Sequence, residues 1–289
     1  MPEHLPIALR VLVNGASTVS WQSWMEGPRS EMTFPRATEA ALHARGRRAE
    51  VRNSAVLAAR NHYMIGNWER DVVHWSPDVV IIVAGHAETV HLFLPRWLER
   101  HANKLNRRPG PFRDLYFRRI VRVIWRTLIA VQQRVEVLLG KPSLPGRARR
   151  ATRNLERYLV MTRHIANPLV IIFEVLPPTG NKGAKFFPGM TGRVAEVNRH
   201  NRELVESIDR PEVRYLEVMP IARRLVGDDL AAVTGDGFHY SPELHAAVAD
   251  ELAHIIEEWA RTQPHLAVPS TGDAGAIDGA EHETSAAQR

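Results

Sequence analysis

Asp78-Val79-Val80-Ile81-Ile82-Val83-Ala84-Gly85 is the run on which the fold turns. Its apolar residues follow one another without a polar face and stop at a glycine, the pattern of a strand buried on both sides. Residues 169–175 repeat the pattern and stop at Pro177-Pro178. Upstream, residues 9–13 form a short apolar run ending at Asn14-Gly15, ahead of a helical pattern through Ala40, Ala41 and Leu42. Residues 50–54 read as a weaker second strand and residues 213–218 as a fifth. Helices are expected over 191–208, with Val194, Val197, Leu204 and Ile208 on one face, and over 242–259, with Leu244, Val248, Leu252, Ile255 and Trp259 on one face. Alternating strands and helices imply an α/β fold, a parallel five-stranded sheet covered on both faces.

Residues 95–164 break this rhythm, offering helical patterns and no strand, and read as a helical insertion. Residues 93–153 hold 16 Lys and Arg against 3 acids (Glu99, Asp114 and Glu136), a net +13 that leaves −7 for the rest of a chain whose formal charge is +6. Arg dominates, which suits phosphate and carboxylate, although a GC-rich gene also yields excess Arg and Ala. Phe117, Val121, Ile124, Leu128, Val131, Val135 and Leu138 recur at alternating intervals of four and three, one apolar stripe on a long helix. Arg118, Arg119, Arg122 and Arg126 flank it, and Arg147, Arg149, Arg150 and Arg153 follow as a second basic cluster. Such a stripe packs on the domain or a sister subunit with solvated arginines, or forms an arm for an anionic membrane surface or acidic ligand. Nucleic acid is the weaker reading, since no reader motif accompanies the charge.

The chain has 289 residues, 44% of them hydrophobic and 24% charged, enough to build a core. With 0 cysteines it cannot use thiolates, disulfides or iron–sulfur clusters. No apolar run approaches the ~20 residues of a bilayer span, and the first 13 residues lack a signal-like pattern. The chain reads as cytoplasmic and non-spanning, with peripheral membrane contact left open. Residues 269–289 carry no apolar periodicity and are expected to be disordered. Nucleotide-binding glycine motifs are absent. His86, Glu88 and His91 match no established ligand spacing, so no metal or other cofactor is expected.

Ligands of open parallel sheets bind at the carboxyl ends of the strands. After the first strand comes Asn14-Gly15-Ala16-Ser17-Thr18, where a serine past a tight turn is placed either as a nucleophile or as a helix cap; the usual G-x-S-x-G elbow is missing. Before the last helix comes Gly235-Asp236-Gly237-Phe238-His239-Tyr240-Ser241-Pro242. Asp and His three apart can set a carboxylate against one imidazole nitrogen while the other faces a nucleophile. Asp71 and His74 share that spacing but precede a buried strand, which makes them the accidental match. Ser241 and Pro242 mark the helix start after the second pair.

Gly-x-Ser after the first strand and Asp-x-x-His before the last helix together resemble the SGNH (GDSL-like) hydrolases, over about residues 9–259 apart from the basic insertion. The resemblance implies a flavodoxin-like three-layer fold spanning residues 1–268. It also implies a serine esterase or acyl-ester hydrolase, or an acyltransferase to a hydroxyl, with Ser17 as nucleophile, His239 as base and Asp236 as its orienting acid. Asn53-Ser54-Ala55-Val56-Leu57-Ala58 resembles the family's second block, with Ala58 at the glycine whose backbone N–H joins that of Ser17 in the oxyanion hole. Gly85-His86-Ala87-Glu88 resembles the third block, Gly-x-Asn-Asp/Glu, but Ala87 replaces the asparagine donor, leaving His86 or Asn14 to substitute. Trp21 and Trp24 are candidates to line the pocket for a small ester. The alternative is a weak or inactive member acting as a binding or scaffold protein through its basic helices.

Overall fold

The computed structural model describes residues 8–20, 33–56, 60–90, 92–106, 110–139, 145–165, 167–180 and 188–266; the tail expected over 269–289 lies outside them. Strands β1 (Leu9–Asn14), β2 (Ala49–Asn53), β3 (Val79–Ile82), β4 (Leu169–Phe173) and β5 (Val213–Leu216) form one sheet in the order β2-β1-β3-β4-β5. All neighbours are parallel, with Val11 opposite both Val51 and Val79, and Ile81 opposite Ile171. The fold is the α/β, three-layer arrangement that alternation implies. Its topological switch point falls between β1 and β3, where the open crevice of such sheets lies.

Side-chain alternation along the strands assigns the two layers. Val11, Val13, Val79, Ile81, Leu169 and Ile171 face one way. They meet α1 (Ser17–Ser20), α2 (Phe34–Ala44), α10 (Val218–Val226) and α11 (Pro242–Ala260). Leu12, Val80, Ile82, Val170 and Ile172 face the other way, toward α3 (His62–Gly66), α8 (Pro145–Arg163) and α9 (Met190–Ile208). Each such residue taken wholly out of water contributes roughly 1.5–3 kcal/mol, so the central strands anchor both layers.

The fifth strand ends at Leu216, two residues before the expected end at 218, because Val218 opens α10. Pro220 suits a first helical turn, whose N–H groups need no intrahelical partner, and Glu174 accepts the Met219 N–H at 2.8 Å.

Between β3 and β4 run α4 (His86–Val90), α5 (Arg96–Asn106), α6 (Pro111–Tyr116), a wide π-turn (Phe117–Val121), α7 (Arg122–Leu138) and α8. The stripe expected on α7 is rotated. Val121, Gln132 and Glu136 are buried, Phe117, Trp125 and Leu128 are half-buried, and Ile124, Val131 and Leu138 are exposed. The π-turn inserts a residue and offsets the helical register, and polar side chains reach loops that apolar ones could not satisfy. Gln132 accepts the Leu92 N–H (2.9 Å) and donates to the Val90 carbonyl (3.0 Å) and to Glu136 (2.7 Å). Glu136 accepts the Gly189 N–H at 2.8 Å and pairs with buried Arg193 at 3.0 Å. Arg193 in turn donates to the Thr89 carbonyl at 2.7 Å. Burial lowers the Arg193 pKa against the opposing pull of Glu136.

Candidate active site

The carboxyl edge of the sheet gathers the loops on which the candidate residues lie. Ser17 is the half-buried first residue of α1, directly after β1. Gly15 is required in front of it, since a Cβ there would run into the Val19 side chain and crowd Val83 of the neighbouring strand's exit. The β2 loop is stapled to this turn: Ser54 N–H donates to the Val13 carbonyl (2.9 Å) and Val56 N–H to the Gly15 carbonyl (3.1 Å). Asn53 closes the same loop locally, accepting the Ala55 N–H at 2.9 Å. Ala58, Trp21 and Trp24 lie outside the described residues, as does His91.

Asp236 and His239 are brought together, with Asp236 Oδ2 2.7 Å from His239 Nδ1. The other carboxylate oxygen accepts the N–H groups of Phe238 (2.9 Å) and His239 (2.8 Å), so the loop is built around the carboxylate. Burial acts to raise the Asp236 pKa, but these hydrogen bonds to the charged form outweigh it and set it at about 2. Ser241 accepts the Leu244 N–H and Pro242 opens α11, fixing where the loop ends. The loop is tied across the edge by Thr179 N–H donating to Gly237 at 3.1 Å. Phe238 packs against the buried cluster of Val175, Met190 and Val194, the same cluster that Val90 of α4 and Ile129 of α7 pack against. Asp71, by contrast, is buried ahead of β3 and engaged by Arg70 and Arg52.

After β3, Gly85 adopts a φ of +103°, and any Cβ would strike Val197 of α9. Ala87 is buried in α4 with no side chain to donate. Asn14 is also buried, and its Nδ2 donates to Tyr158 of α8 at 3.1 Å. His86 is the first residue of α4.

Sequence reading passed over Asn61. Its backbone N–H donates to Glu88 at 2.6 Å, its Oδ1 accepts the Gly85 N–H at 3.2 Å, and its Nδ2 reaches the Ala151 carbonyl at 3.1 Å. An asparagine heading a short helix would be read as a cap, and here its side chain caps nothing. Burial raises the Glu88 pKa to about 7, against the lowering effects of Asn61 and Arg60. Glu88 lines a cavity of about 210 Å³ with Arg60, His62, Leu94, Arg150 and Asn154. Among the described residues no group of three or more His, Asp or Glu is placed to hold a metal.

No family model and no curated protein matches the sequence. Solved structures do match. A lipase/acylhydrolase from Enterococcus faecalis aligns over 88% of this chain and 97% of its own, with a TM-score of 0.55 at 13% identity. A carbohydrate acetylesterase family member from Sinorhizobium meliloti covers 86% and 98%, TM-score 0.53, 14% identity. An aryl esterase of M. smegmatis covers 87% and 99%, TM-score 0.52, 13% identity. With the parallel five-stranded sheet and the carboxyl-edge loops described above, the chain has the fold of the SGNH (GDSL-like) hydrolases.

Proposed function

We propose that the protein is a serine hydrolase of small esters, working through Ser17, His239 and Asp236. The observation that carries this reading is the 2.7 Å Asp236–His239 hydrogen bond, on the same edge of the sheet as the Gly15–Ser17 turn. In the reaction His239 Nε2 takes the Ser17 hydroxyl proton as Oγ attacks the ester carbonyl, and Asp236, already ionised, steadies the resulting imidazolium. The proton passes to the departing alkoxide as the C–O bond breaks. Water, or a sugar or alcohol hydroxyl, then attacks the acyl-serine with His239 again as base, freeing Ser17. The backbone N–H groups of Ser17 and Ala58 are assigned to the oxyanion. The neighbours' names, lipase, acetylesterase and aryl esterase, support an ester as the substrate class.

Ala87 favours a second reading. Lacking one oxyanion donor typically costs about 100- to 1000-fold in rate, ~3–4 kcal/mol, and a chain that has lost it can persist as a binding module. A serine-directed fluorophosphonate separates the two. Labelling at Ser17, with Ser17→Ala and His239→Ala each lowering p-nitrophenyl acetate turnover by roughly 1000-fold or more at an unchanged melting temperature, supports the hydrolase. Full turnover by Ser17→Ala overturns the triad, and a folded wild type that neither labels nor turns over establishes the binding module.

A further inference from the structure

The α6–α7 rod presents two apolar faces, and the fold uses one. The inner face carries Phe117, Val121, Trp125 and Leu128 against Leu94 and Leu98, and further along Gln132 and Glu136 clamp it to the loops after β3 and before α9. The outer face stays in water. All but one of the large apolar side chains left exposed among the described residues, Leu225 being the exception, fall between residues 93 and 165. Phe112 is 86% exposed and Leu138 82%, with Leu115, Ile120 and Val123 also exposed. Large apolar side chains left in water along one element mark a contact surface.

We infer that this outer face lies on an anionic lipid bilayer, parallel to its plane. Arg118, Arg119, Arg122 and Arg126 stand exposed beside the apolar residues, with no acidic partner among the described residues. Residues 93–153 carry a net +13. Apolar side chains reach the acyl boundary while guanidinium groups meet phosphate, the composition of an interfacial helix. A second copy of the chain fits less well, because a two-fold contact would bring the two basic rims together. A nucleic acid would answer the arginines and leave Phe112, Ile120 and Val123 unused. No helix among the described residues is long and apolar enough to cross a membrane, so the contact is one of lying on the surface. Gln132 then couples the docked rod to Val90 and Leu92, the segment that follows Ala87 and Glu88.

The test is flotation of the full chain with phosphatidylglycerol/phosphatidylcholine vesicles and with pure phosphatidylcholine, at low and high salt. Three proteins are compared: wild type, a variant with Arg118, Arg119, Arg122 and Arg126 changed to Gln, and a Phe112→Ser/Ile120→Ser/Val123→Ser variant. Circular dichroism checks that each is folded. Wild type is expected to float with the anionic vesicles at low salt and to be released by high salt. The Arg variant should weaken binding by about fivefold per arginine, several hundred-fold in all, and the apolar variant should weaken it at least tenfold. Ser17→Ala should float like wild type, which separates this inference from the hydrolase reading. No flotation of wild type at low salt overturns the inference. So does unchanged flotation of the apolar variant, or a salt-resistant dimer in sedimentation that the apolar variant dissociates while no vesicle binds. Arg-dependent capture of duplex DNA or RNA without vesicle binding overturns it as well.

Discussion

Burial holds the Glu88 carboxyl at a pKa of about 7, well above its ordinary 4.5. A carboxyl raised on folding binds its proton more tightly in the native state. Its contribution to stability is therefore complete below about pH 4.5 and is lost as the pH rises through about 7. The shift corresponds to roughly 3 kcal/mol. Glu88→Gln keeps an acceptor for the Asn61 N–H and removes the titration. Urea denaturation should find the variant close to wild type at pH 4.5 and more stable by about 3 kcal/mol at pH 9; an equal pH slope in both proteins would place the buried charge elsewhere. Asp236 has the opposite sign. Its carboxylate is held at about 2, so its contribution is present above the ordinary 3.8 and lost only as the pH falls toward 2.

At the scale of elements, the rod α6–α7 is held by a polar clamp as well as by apolar packing. Glu136 is 1% exposed and answers Arg193, Gln132 and the Gly189 N–H together. Glu136→Ala leaves a buried guanidinium without its counter-ion, which costs about 3–5 kcal/mol. Adding Arg193→Met removes the orphaned cation and should recover part of that loss, although the Gly189 N–H stays unsatisfied. A double-mutant cycle by urea denaturation measures the coupling, and additive losses would show that the pair is not the source of the clamp. The helix carries both packing and polar anchoring because its inner face meets a loop, whose backbone groups need partners.

For the molecule as a whole, stability should grade from the sheet outward. β1, β3 and β4 are buried on both faces by helices of opposite layers. The rod rests on the rest of the protein through a small cluster and the clamp. In native-state hydrogen exchange, the amides of β3 and β4 should open only with global unfolding, and those of α6 and the first turns of α7 by local opening several kcal/mol lower. Equal protection in both regions would mean that the rod folds as one cooperative unit with the sheet.

The sequence alone determined the class of fold, the five strands to within a few residues, and the loop geometry of Asp236 and His239. Each is set by neighbours in the chain: an unbroken apolar run buries both faces, and a three-residue spacing ahead of a capped helix closes a carboxylate onto an imidazole. Tertiary structure decided what depends on distant partners. The α7 stripe was rotated because Gln132 and Glu136 answer backbone groups at Leu92 and Gly189. Residues 145–163, which by composition belong to a basic insertion, supply Leu155, Tyr158 and Leu159 to the layer over the sheet. Asn61 gained its place by joining Gly85 to Ala151, 24 residues ahead of it in the chain at one end and 90 at the other. Periodicity reports which face of a helix is apolar, but only the packed molecule decides which face is covered, since burial also requires that every buried polar group find its partner.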